Sequence, residues 1–119
     1  MDKTIYVVED NDDIRELVEY LFEMEGYKVF GFANATTFKE QIKTTIPDIV
    51  VLDVMLPDGN GIDICNRLKS TAATENLPVL LMSANTNVAL MNKESKADDF
   101  ISKPFDIDDL INRVKKLLN

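Results

Sequence analysis

Ile49-Val50-Val51-Leu52-Asp53 is a run of four apolar residues, three of them β-branched, stopped by a carboxylate. A half-buried strand alternates apolar with polar side chains, because successive residues face core and water in turn. A continuous apolar run of strand length reads instead as a parallel strand covered on both faces. Ile5-Tyr6-Val7-Val8 and Val79-Leu80-Leu81-Met82 have the same form. Val29–Phe32 and the pair Phe100-Ile101 complete a series of five runs, each bounded by polar or turn residues.

Helical periodicity fills the intervals. Ile14, Leu17, Val18, Leu21 and Phe22 recur at three- and four-residue steps, after the helix-start residues Asn11, Asp12 and Asp13 and before Gly26. Phe38 and Ile42 form a shorter stripe after Asn34, and Ile64, Cys65 and Leu68 another that opens near Asn60-Gly61. In the last helix Ile107, Leu110, Ile111, Val114, Leu117 and Leu118 line one side, with Asp106, Asp108 and Asp109 at its positive end and Lys115 and Lys116 at its negative end. A fourth helix is expected over Asn85–Lys96, where Val88 and Met91 support a buried face. Five alternations of strand and helix predict an α/β domain: a parallel sheet, right-handed crossovers and helices on both faces.

At 119 residues the chain suits one domain, spanning residues 1–119. Its formal charge of −8 opposes unselective binding to nucleic acid or to an anionic membrane, so neither is an expected partner. The absence of histidine removes His-activated nucleophiles, His metal ligands and His pH switches. Cys65 is the single cysteine, which suits a reducing compartment and reads as a small core hydrophobe. With neither a membrane-length apolar stretch nor a signal-peptide pattern, the expected location is cytoplasmic.

Ligands of open α/β sheets bind beyond the carboxyl ends of the strands. Glu9 and Asp10 follow the first run, Asp53 the third, Ser83 the fourth and Lys103 the fifth; the second contributes nothing comparable, as expected of an edge strand. Each has a bland alternative as a cap, turn or solvated charge. Together they place three carboxylates, a hydroxyl and an ammonium at one end of the sheet. Clustered carboxylates repel one another unless a cation relieves them, and Mg²⁺ is a hard oxygen-binding cation suited to that role. The set fits phosphoryl transfer to an Asp nucleophile, with cation and ammonium neutralising the equatorial oxygens. A structural acidic cluster remains the other possibility at this level.

Four segments bear on that choice: Val7-Val8-Glu9-Asp10-Asn11, Leu52-Asp53-Val54-Met55-Leu56-Pro57-Asp58-Gly59-Asn60-Gly61, Leu81-Met82-Ser83-Ala84 and Asp98-Asp99-Phe100-Ile101-Ser102-Lys103-Pro104-Phe105. In this order and spacing the chain resembles the receiver domains of bacterial two-component response regulators over essentially its whole length. The resemblance implies a flavodoxin-like, three-layer (βα)5 fold with a five-stranded parallel sheet in the order 2-1-3-4-5. It implies Asp53 as phosphoacceptor, a Mg²⁺ site of Glu9, Asp10, Asp53 and the backbone carbonyl of Met55, Ser83 and Lys103 as phosphoryl-contacting groups, and Ser83 with Phe100 as the switch pair. It implies a cis bond before Pro104. The implied donor is a sensor histidine kinase or histidine phosphotransfer protein, and the implied output is a homodimer or effector contact through the fourth-helix, fifth-strand and fifth-helix face. Such a domain assists its own phosphorylation and dephosphorylation and is not a turnover enzyme.

Some positions depart from the family pattern. Lys96 stands where most relatives carry Gly, which is costly if the backbone there needs positive φ, unless the turn is built differently. The span from Ser83 to Lys103 is a residue or two short, and Phe100 replaces the commoner Tyr. Arg15, Glu16 and Glu19 read as a solvated helix face. Competing classes are disfavoured by particular residues. A Mg²⁺-dependent phosphatase wants an acid two residues after the nucleophile, where Met55 stands; a flavin-type binder would meet Glu9 and Asp10 at its phosphate loop. A degenerate receiver, acting as a phosphorylation-independent binding module, is the remaining alternative.

Overall fold

Three strands without polar alternation occupy the middle of the sheet. The computed structural model describes residues 2–84, 93 and 95–119. In chain order the described elements are β1 (Thr4–Val8), α1 (Asp12–Met24), β2 (Lys28–Phe32), α2 (Ala35–Thr44), β3 (Ile49–Asp53), β4 (Met55–Leu56), β5 (Gly59–Asn60), α3 (Gly61–Ser70), β6 (Val79–Ser83), β7 (Asp99–Ser102) and α4 (Ile107–Leu118). All five long strands pair in parallel, in the order β2-β1-β3-β6-β7. This is the flavodoxin-like sheet, with a two-residue antiparallel hairpin, β4–β5, set between its third and fourth strands in sequence. The periodicity did not foresee the hairpin, because two-residue strands leave no pattern. The expected helix over Asn85–Lys96 falls almost entirely outside the described residues.

The uninterrupted apolar runs are explained by two cores. Tyr6, Val8, Val50, Leu52 and Leu81 face one side of the sheet with Phe38 of α2 and Cys65 of α3. Ile5, Val7, Val51, Leu80 and Met82 face the other, with Val18 and Phe22 of α1 and Leu110 and Val114 of α4. Odd and even positions therefore both meet apolar partners, and β3 and β6 are buried throughout. Tyr6 stacks edge-on with Phe32 and Phe38, and its hydroxyl donates to the Thr45 carbonyl at 2.9 Å. Two expected core positions are outside: Leu17 and Ile107 are 44% and 42% exposed, since each sits at the margin of its helix's apolar arc.

Each described helix begins at an Asn or Asp whose side chain accepts from the first turn. Asn11 accepts from the Ile14 amide, Asn34 from Thr37, Asn60 from Ile62 and Asp106 from Asp109. Gly26 ends α1 with φ of 91°, the only positive φ among the described residues. Lys96 is thus free of that backbone conformation. Its amide donates to Asn66 Oδ1 at 2.9 Å, so a side chain anchors the turn. No helix among the described residues is long and apolar enough to cross a membrane.

Candidate functional site

The carboxyl ends of β1, β3, β6 and β7 deliver Glu9, Asp53, Ser83 and Lys103 to one edge of the sheet. Asp53 is the last residue of β3 and only 4% exposed. Glu9 follows β1 and is fully buried; its amide donates to the Phe32 carbonyl, which continues the sheet's bonding by one residue. Asp10 is exposed, and its carboxylate lies with those of Glu9 and Asp53 in a group whose ligand atoms are all within 4.8 Å of one another. Ser83 ends β6, buried, and its carbonyl accepts from the Lys103 amide at 2.8 Å.

Lys103 is the electrostatic counterweight. Its ammonium donates to Glu9 Oε1 and, at 3.1 Å, to Asp53 Oδ2. Burial pulls the lysine's pKa down, but the Glu9 bond and the Asp53 charge more than offset this and hold it above the ordinary value. The peptide bond from Lys103 to Pro104 is cis. Glu9 Oε2 also accepts from the Asn11 amide at 3.1 Å, and Asp53 Oδ1 from the Met55 amide at 3.2 Å. Three carboxylates against one ammonium leave a local excess of negative charge. An all-oxygen donor set of this kind matches a hard divalent cation better than a soft one.

The loop after Asp53 is held by close backbone packing. A Cβ at Gly61 would stand 2.8 Å from Val54 Cα and 2.9 Å from Asp53 C, so only glycine lets α3 start this near the end of β3. Met55 is 78% exposed, and its backbone amide is the part bonded to Asp53. Phe100, on β7, is half-buried and packs on the core that contains Leu81.

Two supports were not foreseen. Arg15, expected on a solvated face, has a side chain only 16% exposed. Its guanidinium donates to the Glu9 carbonyl at 2.9 Å and pairs with Asp12 at 2.7 Å, while Glu19 approaches at 3.8 Å. Glu19 packs over Gly31, and its partial burial raises its pKa against the lowering effect of Arg15. Glu16 alone of the three is exposed as expected. The reason is the missing side chain at Gly31, which opens room against β2 for polar groups that periodicity assigns to water. Asp58 is the second support. Its carboxylate accepts from the Ala35 amide at 2.7 Å, the Thr36 amide at 2.9 Å and the Thr36 hydroxyl at 2.5 Å. The loop after Asp53 is thereby tied to the N-terminus of α2, and the Thr36 hydroxyl and Ala35 amide lower the Asp58 pKa to about 2.

Known proteins similar to this chain in sequence and fold are numerous. The family model for the response regulator receiver domain matches residues 5–115. The phosphate regulon transcriptional regulatory protein PhoB of Rhizobium meliloti (strain 1021) is 34% identical over 116 residues, covering 96% of this chain and 51% of PhoB. The chain spans about half the length of the curated relatives it matches. Among solved structures, the signal receiver domain of a signal transduction histidine kinase from Syntrophus aciditrophicus superposes with a TM-score of 0.91 at 30% identity, covering 98% of this chain and 89% of that one. The BeF3-activated receiver domain of DrrB, a Thermotoga maritima OmpR/PhoB homologue, gives a TM-score of 0.87 at 32% identity and covers 99% of this chain and 98% of that one. Sequence, fold and the converging strand ends agree, and the chain belongs to the response regulator receiver domain family.

Proposed function

We propose that residues 1–119 form one receiver domain that takes a phosphoryl group onto Asp53 from a phosphohistidine and thereby switches its surface toward a partner. Response regulator receivers are phosphorylated by histidine kinases; the donor here is a sensor kinase or a histidine phosphotransfer protein, met in the cytoplasm. The carrying observation is the meeting of Glu9, Asp10 and Asp53 within 4.8 Å, with Lys103 bonded to Glu9 and Asp53.

An Asp53 carboxylate oxygen attacks phosphorus in line with the leaving imidazole. An O–P bond forms as the N–P bond breaks, and the imidazole keeps the electron pair and takes up a proton. Lys103 stays paired with the acceptor carboxylate and neutralises a phosphoryl oxygen as charge shifts onto it. Ser83, at the neighbouring strand end, donates its hydroxyl to another phosphoryl oxygen. Glu9, Asp10, Asp53 and the Met55 carbonyl would hold Mg²⁺, whose charge favours bringing the anionic phosphoryl group to an acidic site. Recruiting Ser83 frees space for the Phe100 ring, so the β7 and α4 face carries the output to a second copy or an effector. The domain assists its own phosphorylation and hydrolysis without turning over a separate substrate.

Intact mass after incubation with acetyl phosphate tests the proposal. A single phosphoryl adduct is expected in the wild type with Mg²⁺, and none in Asp53→Asn. Asp10→Asn should need much more Mg²⁺ for the same adduct. An adduct that persists in Asp53→Asn would overturn the assignment, and no adduct in any condition would point to a receiver used only as a binding module.

A further inference from the structure

Away from the carboxylates, α2 and α3 leave between them a groove of about 550 Å³. That volume lies within the range of small-molecule sites. Its floor is apolar: Phe38 and Ile42 from α2 and Ile64 and Leu68 from α3, none more than 9% exposed. Ile46, 45% exposed, forms an apolar lip.

The walls are cationic. Lys39 and Lys43 stand one turn apart on α2, and Arg67 projects from α3. Among the described residues neither Lys39 nor Arg67 takes part in an ion pair, and Lys43 meets only Glu40, at 3.9 Å with both side chains exposed. Asp63 is the single carboxylate among the lining residues. Three cations against one carboxylate is the reverse of the balance in the whole chain, which carries −8. A groove with an apolar floor and basic walls repels cations and favours an anion over a neutral ligand of the same shape. An anion with an apolar body satisfies both surfaces, the body displacing water from the floor and the charge sitting between the two helices.

We infer that the α2–α3 groove binds a small anionic amphiphile, a carboxylate, sulfonate or phosphate attached to an apolar chain or ring. At one end the groove is lined by Gly59 and Asn60 of the β4–β5 hairpin, in the loop that begins at Asp53. Occupancy therefore reports to the loop beside the carboxylate cluster without touching the cluster itself.

The probes are 8-anilinonaphthalene-1-sulfonate, followed by fluorescence and by ¹H–¹⁵N spectra of the folded chain, and decanoate as competitor. Saturable binding is expected, with amide shifts centred on α2, α3 and residues 59–60. Lys39→Glu and Arg67→Glu, both at exposed positions, should each weaken binding about fivefold or more, the effect of reversing a surface charge beside an anion. Lys116→Glu, an equally exposed change on α4, should leave it unaltered. Decanoate should displace the probe, and decanol should not. Each of four results would overturn the inference: no saturable binding, shifts centred elsewhere, equal displacement by decanol, or a groove already covered by a second copy. The last would appear as sedimentation of a dimer that Ile46→Glu dissociates.

Discussion

Replacing Lys103 by Met removes the ammonium from between two buried carboxylates. The Glu9 and Asp53 side chains are 1% and 6% exposed, and among the described residues no other cation pairs with either. The local charge of the cluster passes from −2 to −3, with Glu9 buried away from bulk solvent. Removing one partner of a buried ion pair costs about 3–5 kcal/mol, and the lower end applies here because the Lys103 side chain keeps some access to solvent. For a chain of 119 residues the unfolding entropy is about 0.25 kcal/mol/K, so about 3 kcal/mol lowers Tm by about 12 °C. Thermal unfolding followed by circular dichroism at pH 7, without divalent cations, reads this directly. The double variant Lys103→Met/Glu9→Gln supplies the internal check. Taking away the stranded charge should return at least half of the lost Tm, a strongly non-additive cycle. A loss under about 3 °C in the single variant, or additivity in the double, would refute the view that Lys103 holds this cluster together.

Asp58 provides a pH prediction. Its pKa is lowered from 3.8 to about 2 by the Thr36 hydroxyl and the Ala35 amide, so its stabilising effect is complete above the unfolded value and disappears as pH falls toward the folded one. The Tm advantage of wild type over Asp58→Asn should be constant at neutral pH and shrink between about pH 4 and about pH 2, and a constant gap in thermal melts across that window would show that the carboxylate is not the clamp. Gly61→Ala should cost about 1–3 kcal/mol or more, because the new Cβ meets the backbone of Asp53 and Val54, which cannot swing aside. Urea unfolding measures this, with Gly59→Ala as the milder comparison: there the nearest atoms are the side chains of Ala35 and Ile64, at 3.2 Å and 3.4 Å. Equal costs at the two glycines would defeat the explanation.

Much of the fold is legible in linear patterns because it is made of local choices. A run such as Ile49–Leu52 has one low-energy use, a strand covered on both faces, and Asn11, Asn34, Asn60 and Asp106 each satisfy amides within three residues of themselves. Since the strands are parallel, their polar followers must gather at one end, which is why the linear sequence alone groups Glu9, Asp53, Ser83 and Lys103. Lys96 was legible only as a departure; its anchor, Asn66, lies 30 positions away.

What the local patterns determine, then, is the five long strands, the helices α1 to α4, their parallel pairing and the charge that gathers at one sheet edge, because periodicity and capping act over a few residues. Tertiary structure alone decides who meets whom. Lys103 reaches Glu9 across 94 positions and Asp53 across 50, and Asp58 reaches Thr36 across 22. Arg15 turns inward because Gly31, on a different element, leaves the space. Such contacts depend on distances through space that no local pattern encodes, and they make an acidic cluster into a site poised between its own repulsion and one lysine.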